Sequence, residues 1–73
     1  PAAAKRVEAA IADIHAAGTT IVLTTHDLGQ ARRLADDILF LHEGRLVERG
    51  SALAFLAAPR TREAQAYLNG ELL

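Results

Sequence analysis

Residues 19–50 read TTIVLTTHDLGQARRLADDILFLHEGRLVERG, and the order of apolar runs and breaks within them sets the expected fold. In Thr19–Thr25 the apolar residues Ile21, Val22 and Leu23 are consecutive rather than alternating. That is the pattern of a strand covered on both faces, as in a parallel sheet between helical layers. His26 and Asp27 break the run. Leu28–Asp36 then reads as a helix with Leu28, Ala31, Leu34 and Ala35 on one face. Asp27 is placed to be its N-cap, and Gln30 three residues later completes a capping-box pattern. Asp37–Leu41 (DILFL) reads as a second strand, which would make the strand–helix–strand unit a right-handed parallel crossover. His42, Glu43 and Gly44 form a short turn, and Arg45–Arg49 returns as a third strand, the partner in a hairpin.

Upstream, residues 2–17 are Ala-rich and place Val7, Ala10, Ile11, Ile14 and Ala17 on one helical stripe. Gly18 supplies the stop. Downstream, Gly50 ends the third strand and Ser51 can cap a short helix through Ala57, with Leu53, Phe55 and Leu56 expected in the core. Ala58-Pro59 breaks that helix, because the residue before a proline is pushed out of the helical region. Thr61 can cap a last helix with inner face Ala64, Tyr67 and Leu68, closed by Asn69-Gly70. The expected fold is therefore α/β, in the order helix–strand–helix–strand–strand–helix–helix, with a parallel crossover followed by a hairpin.

Composition bounds what such a chain can do. At 73 residues it sits where one hydrophobic core struggles to offset chain entropy, at about 70–80 residues. It has no cysteine, so disulfides and thiolate metal sites are excluded. Eight basic and nine acidic residues leave a net charge of -1, and the basic residues are scattered in pairs. With only Phe40, Phe55 and Tyr67 as aromatic residues, neither a phosphate-tracking stripe nor a base-stacking platform is present, so no nucleic-acid partner is expected. No apolar run approaches the roughly 20 residues of a bilayer-spanning helix. The strand expected at 20–25 can pair with 37–41 on one side only, which leaves its other edge bare. That edge, and a start at Pro1 without methionine, suggest a piece of a longer protein whose preceding part supplies the missing strands.

His26 falls where an apolar strand ends and a capped helix begins, the place where parallel α/β sheets bind ligands. The helix start also offers N–H groups and a positive dipole end there. A histidine so placed can donate to a phosphate oxygen. The segment 19–50 resembles the region of ABC transporter ATPases that follows the D-loop: an apolar strand, Thr25-His26-Asp27, a helix with Ala and Asp near its end, a strand, a turn ending in Gly, and a strand reaching a terminal Gly. Pro1 falls where the family's D-loop gives way to a helix, so the resemblance covers essentially residues 1–73, as the C-terminal part of a P-loop NTPase fold.

The resemblance implies that His26 is the H-loop or switch histidine. In the family it contacts the γ-phosphate of ATP and helps position the attacking water and the catalytic glutamate. Thr25 and Asp27 would support the loop, Thr25 through its backbone and Asp27 as helix cap. The resemblance further implies ATP and Mg²⁺ in the intact subunit, a second ATPase subunit, a transmembrane permease, and a place at the cytoplasmic face of the membrane. The stretch 51–73 is similar to tails of ATPases in bacterial importers, of the branch handling oxyanions such as tungstate, molybdate or phosphate.

The departures are large. No Gly-x-x-x-x-Gly-Lys-Ser/Thr loop occurs, and the signature loop, Walker B aspartate and catalytic glutamate are absent. Without the loop lysine and the Mg²⁺ ligands, phosphate charge is not neutralised. The chain alone is expected to hold no cofactor and to neither bind ATP tightly nor hydrolyse it. His15 reads as a dipole contact at the end of its helix, His42 as a solvated turn residue, and Arg32-Arg33 as a solvated helix face. Metal binding is not expected from three histidines at these spacings. The competing function is a small stand-alone α/β binding or assembly module without catalysis.

Overall fold

The computed structural model describes residues 2–71; Pro1, and with it the expected D-loop junction, lies outside the described residues, as do Leu72 and Leu73. The elements are α1 (Ala2–Ala16), α2 (Leu28–Leu34), β1 (Asp37–His42), β2 (Arg45–Ser51), α3 (Ala52–Ala57) and α4 (Arg62–Leu68). The fold is mixed α/β, with four helices and one two-stranded antiparallel sheet among the described residues.

The hairpin is the centre of it. His42 pairs with Arg45 around a two-residue turn in which Glu43 (φ 51°) and Gly44 (φ 75°) both have positive φ. That is the sense of turn that matches the right-handed twist of the flanking strands. The register runs Asp37↔Ser51 to Phe40↔Glu48, then resumes at Leu41↔Leu46, so Val47 is an extra residue on β2. The bulge lets Val47 lean on the core while its neighbour Glu48 is buried opposite Phe40.

Phe40, Phe55 and Ala64 form the core, with Ile38, Val47, Leu56, Tyr67 and Leu68 packed around it. Phe40 meets Phe55 and Tyr67 at ring-centroid distances of 5.9 and 5.2 Å in tilted arrangements. Pairs of this kind contribute about 0.5–1.5 kcal/mol beyond the area they bury. The expected inner face of α4 is as observed. Leu53 is a correction: it is 83% exposed, and only Phe55 and Leu56 of that trio face inward.

The caps hold α3 and α4 at fixed starts. Ser51 Oγ accepts from Ala54 N at 3.1 Å, and Thr61 Oγ1 accepts from Ala64 N at 3.1 Å. Thr61 is also tied to β2. Its N–H and its hydroxyl both donate to Glu48 Oε1, at 2.8 and 2.7 Å, while Arg60 N donates to Glu48 Oε2 at 2.9 Å. The backbone N–H of Arg60 holds the Glu48 carboxyl below the ordinary glutamate range, the Thr61 hydroxyl and N–H add to this, and burial opposes it.

Two of the expected elements differ. Thr19–Thr25 is not a strand, and with it the parallel crossover is absent among the described residues: residues 19–27 carry no regular element, and β1 pairs there only with β2. A strand persists only where its N–H and C=O groups find a ladder. Pairing to β1 alone would leave Ile21–Leu23 with one bare edge and two uncovered apolar faces. The helix expected over Leu28–Asp36 also stops at Leu34, because Ala35 takes an extended conformation (ψ 137°) and the Asp36 carbonyl turns to accept from Ala52 N at 2.8 Å. Gly18 (φ 104°) ends α1 as expected. The α1 stripe is largely uncovered, with Val7 57% and Ile14 50% exposed and Ile11 half-buried.

Replacing Glu48 tests the tie between hairpin and α4. Glu48→Gln removes the charge that three donors converge on. The thermal midpoint should fall by roughly 5 °C or more, with loss of near-ultraviolet signal from the Phe40–Tyr67 contact. A midpoint within a degree of the parent would show that the clamp does not hold α4.

Candidate functional site

Thr25, His26 and Asp27 lie at the end of the irregular segment, immediately before α2. Asp27 is the N-cap. Its backbone is extended (φ -90°, ψ 105°), and Oδ1 accepts from Gln30 N at 3.1 Å. This half of the capping box forms as expected. The other half does not: the Gln30 side chain turns away to donate to Glu8 Oε2 at 3.3 Å, and the Asp27 N–H donates to Thr25 Oγ1 at 3.0 Å. Thr25 thus takes the place of Gln30, closing the loop over its own backbone.

His26 is exposed, and among the described residues no hydrogen bond or ion pair engages its imidazole. Its backbone carbonyl is held instead. Tyr67 Oη donates to His26 O at 3.3 Å, across 41 residues of sequence. The arrangement presents a lone imidazole to solvent on a backbone restrained by Thr25, Asp27 and Tyr67. Tyr67 was legible in the sequence as a core residue of α4. Nothing in the local pattern signalled that its hydroxyl reaches the histidine.

A second cluster braces α2 from the other side. Arg33 Nε and Nη2 donate to the two oxygens of Glu8 at 2.8 and 2.7 Å, a bidentate pair that ties α2 to α1. Glu8 is well shielded there, with 12% of its side chain exposed. The Arg33 hydrogen bond draws the Glu8 carboxyl down to about 2; Gln30 assists, and desolvation opposes. Arg33 is therefore not merely part of a solvated helix face. Gly29 sits between these groups: a Cβ there would lie 3.2 Å from Arg33 Nη1 and 3.3 Å from Asp27 Oδ1.

The remaining histidines also differ in part from expectation. His15 lies in the last turn of α1, as expected, and its ring further bridges Thr19 O (3.2 Å from Nδ1) and Asp36 (3.1 Å from Nε2). His42 ends β1 rather than sitting in the turn. It is half-buried, stacks on Phe40 at a centroid distance of 6.4 Å, and lies 3.5 Å from Glu43. One surface groove is lined by Arg32, Ala35, Leu53 and Leu56 and another by His42, Arg45, Thr61 and Glu63; neither includes His26. Among the described residues no cluster of three His, Asp or Glu is arranged to hold a metal ion, and no helix is long and apolar enough to cross a membrane.

Over 72 residues, 99% of its length, the chain is 36% identical to the phosphate import ATP-binding protein PstB of Thermotoga maritima. It is 34% identical over 68 residues to the arginine transport ATP-binding protein ArtM of Bacillus subtilis, and 41% identical over 51 residues to the phosphate import ATP-binding protein PstB 1 of Yersinia pestis. These relatives are ABC transporter ATP-binding proteins. The chain spans between 19 and 28% of their length. No family model and no solved structure matches it.

The bidentate pair gives a pH prediction. A carboxyl lowered in the folded state adds stability at pH values above its unfolded value, about 4.3. That contribution is lost as pH falls through the folded value, about 2 for Glu8. The Glu8 carboxyl carbon, followed by NMR, should therefore titrate near the lower value in the parent. In Arg33→Ala it should return to roughly 4.3. A parent midpoint above about 4 would show that the clasp is not formed.

Proposed function

We propose that the chain belongs to the ATP-binding subunits of ABC transporters and corresponds to their H-loop region and C-terminal tail, residues 1–73 forming part of the ATPase domain. The observation that carries this is similarity to such subunits over 99% of the chain; an exposed histidine just ahead of a capped helix is compatible with it. In this reading His26 is the switch residue that meets the γ-phosphate of ATP, while Thr25 and Asp27 hold the loop. A donor aimed at charge developing in phosphoryl transfer is worth roughly 10²–10³ in rate.

The residues present do not by themselves fit ATP and Mg²⁺. There is no glycine-rich loop with its lysine, no trio of metal-ligating side chains among the described residues, and one imidazole where a nucleotide needs many donors. The chain alone is therefore read as inactive, contributing one group to a site completed elsewhere.

Exposed apolar surface supports the same reading. Val7 and Ile14 on α1, Val22 and Leu23 in the irregular segment, and Leu39, Leu41 and Leu46 on the hairpin are each 44–89% exposed. So much uncovered aliphatic surface marks an interaction face rather than the outside of a self-contained module. The rest of the ATPase domain is the occupant this reading supplies, and with a strand beside it Ile21–Leu23 would gain the ladder it lacks. The same surface disfavours the stand-alone module.

The complete subunit would pair with a second copy, dock on a transmembrane permease at the cytoplasmic face, and couple ATP hydrolysis to solute import. Relatives named for phosphate and for arginine align with the same residues. Residues shared by both therefore do not distinguish the two solutes, and the oxyanion branch rests only on the relatives named for phosphate.

In a complete subunit carrying this segment, His26→Ala should leave ATP binding intact and lower hydrolysis by roughly 10²–10³-fold. The 73-residue chain alone should show neither tight ATP binding nor turnover. Near-normal turnover of the substituted subunit, or a nucleotide site in the chain alone, would overturn the reading.

A further inference from the structure

The hydrogen bond from Tyr67 to His26 O and the one from Asp27 N–H to Thr25 Oγ1 act on the same peptide group. The carbonyl of His26 and the N–H of Asp27 are the two polar ends of one planar unit. With the carbonyl held at 3.3 Å by Tyr67 and the N–H at 3.0 Å by Thr25, that plane cannot turn without breaking a bond at one end or the other. Its orientation sets ψ of His26 and φ of Asp27, hence both the direction in which the imidazole leaves the backbone and the conformation of the cap. Thr25 is two residues from its partner and moves with the loop. Tyr67 belongs to a different element and supplies the external reference.

That element is itself fixed. The Glu48 carboxylate grips Arg60 and Thr61 at the start of α4, and the Tyr67 ring rests on Phe40 of β1 at 5.2 Å. The hydroxyl is thus delivered to the loop by a rigid frame of hairpin and C-terminal helix.

We infer that Tyr67 is a positioning residue for His26: its hydroxyl orients the 26–27 peptide plane and so aims the histidine, making α4 part of the switch rather than a passive tail. The catalytic side of this rests on the proposed role of His26; the anchoring itself does not. Tyr67→Phe removes the hydroxyl and keeps the ring on Phe40.

Two measurements decide it. In the 73-residue chain, amide exchange of Asp27 should quicken by about 3–10-fold in Tyr67→Phe, with Thr61, Ala64 and the hairpin amides unchanged. In the complete subunit, kcat should fall about 3–10-fold, in step with the lost restraint, with KM for ATP within twofold and the melting temperature unchanged. Unchanged Asp27 exchange would overturn the anchoring, and unchanged kcat with quickened exchange would overturn its role in aiming His26. If His26→Ala left turnover normal, the role of His26 and the aiming inference would both fall, and Asp27 exchange would still decide whether Tyr67 holds the loop.

Discussion

A single buried carboxylate organises the described structure. Glu48 sits inside β2 with 6% of its surface exposed, and among the described residues every donor that reaches it comes from Arg60 and Thr61, the two residues just before α4. Burying a carboxylate is costly unless it is hydrogen-bonded, and here one oxygen takes two bonds and the other one. The Thr61 hydroxyl donates to Glu48 and accepts from Ala64 N, so the helix cap and the tie to the sheet share one oxygen atom. Without the bulge at Val47, strand alternation would put Val47 and Glu48 on opposite faces, and the core could use only one of them.

From that fixed point the order passes outward and weakens. The hairpin, α3 and α4 enclose Phe40, Phe55 and Ala64, whereas α1 has no buried residue and is joined mainly through Glu8, Arg33 and Gln30. Between these two parts lies the loop with His26. It is held from α4 by Tyr67, and α2 behind it is held from α1 by the bidentate pair. The backbone of His26 is thus restrained while its ring stays clear of other partners among the described residues, a division that suits the role proposed for it.

The exposed apolar residues have the same origin. The stripe of α1, the run Ile21–Leu23 and the outer residues of the hairpin were all patterned for burial, and the described residues do not suffice to bury them. Among the described residues only Phe40, Ala52, Phe55 and Ala64 are buried apolar side chains, a small core in keeping with so short a chain. The consecutive apolar run at 21–23 reads as a strand buried on both faces, yet it carries no strand, because its propensity needs neighbours to be expressed.

What the sequence by itself determined is local: a helix read at 2–17, which ends at Ala16 ahead of Gly18, the Asp27, Ser51 and Thr61 caps, a hairpin turn read at 42–44, which closes on Glu43-Gly44 alone, and the sequence Thr25-His26-Asp27 ahead of α2. Caps and turns are written within four residues, so their donors and acceptors can be paired from spacing alone. Only the tertiary structure decided that Glu48 is buried and clamps Thr61, that Gln30 abandons its capping box for Glu8, and that Tyr67 reaches the carbonyl of His26. These contacts join residues 13, 22 and 41 positions apart. At such separations periodicity names the face a side chain occupies, while its partner is chosen by which elements pack together.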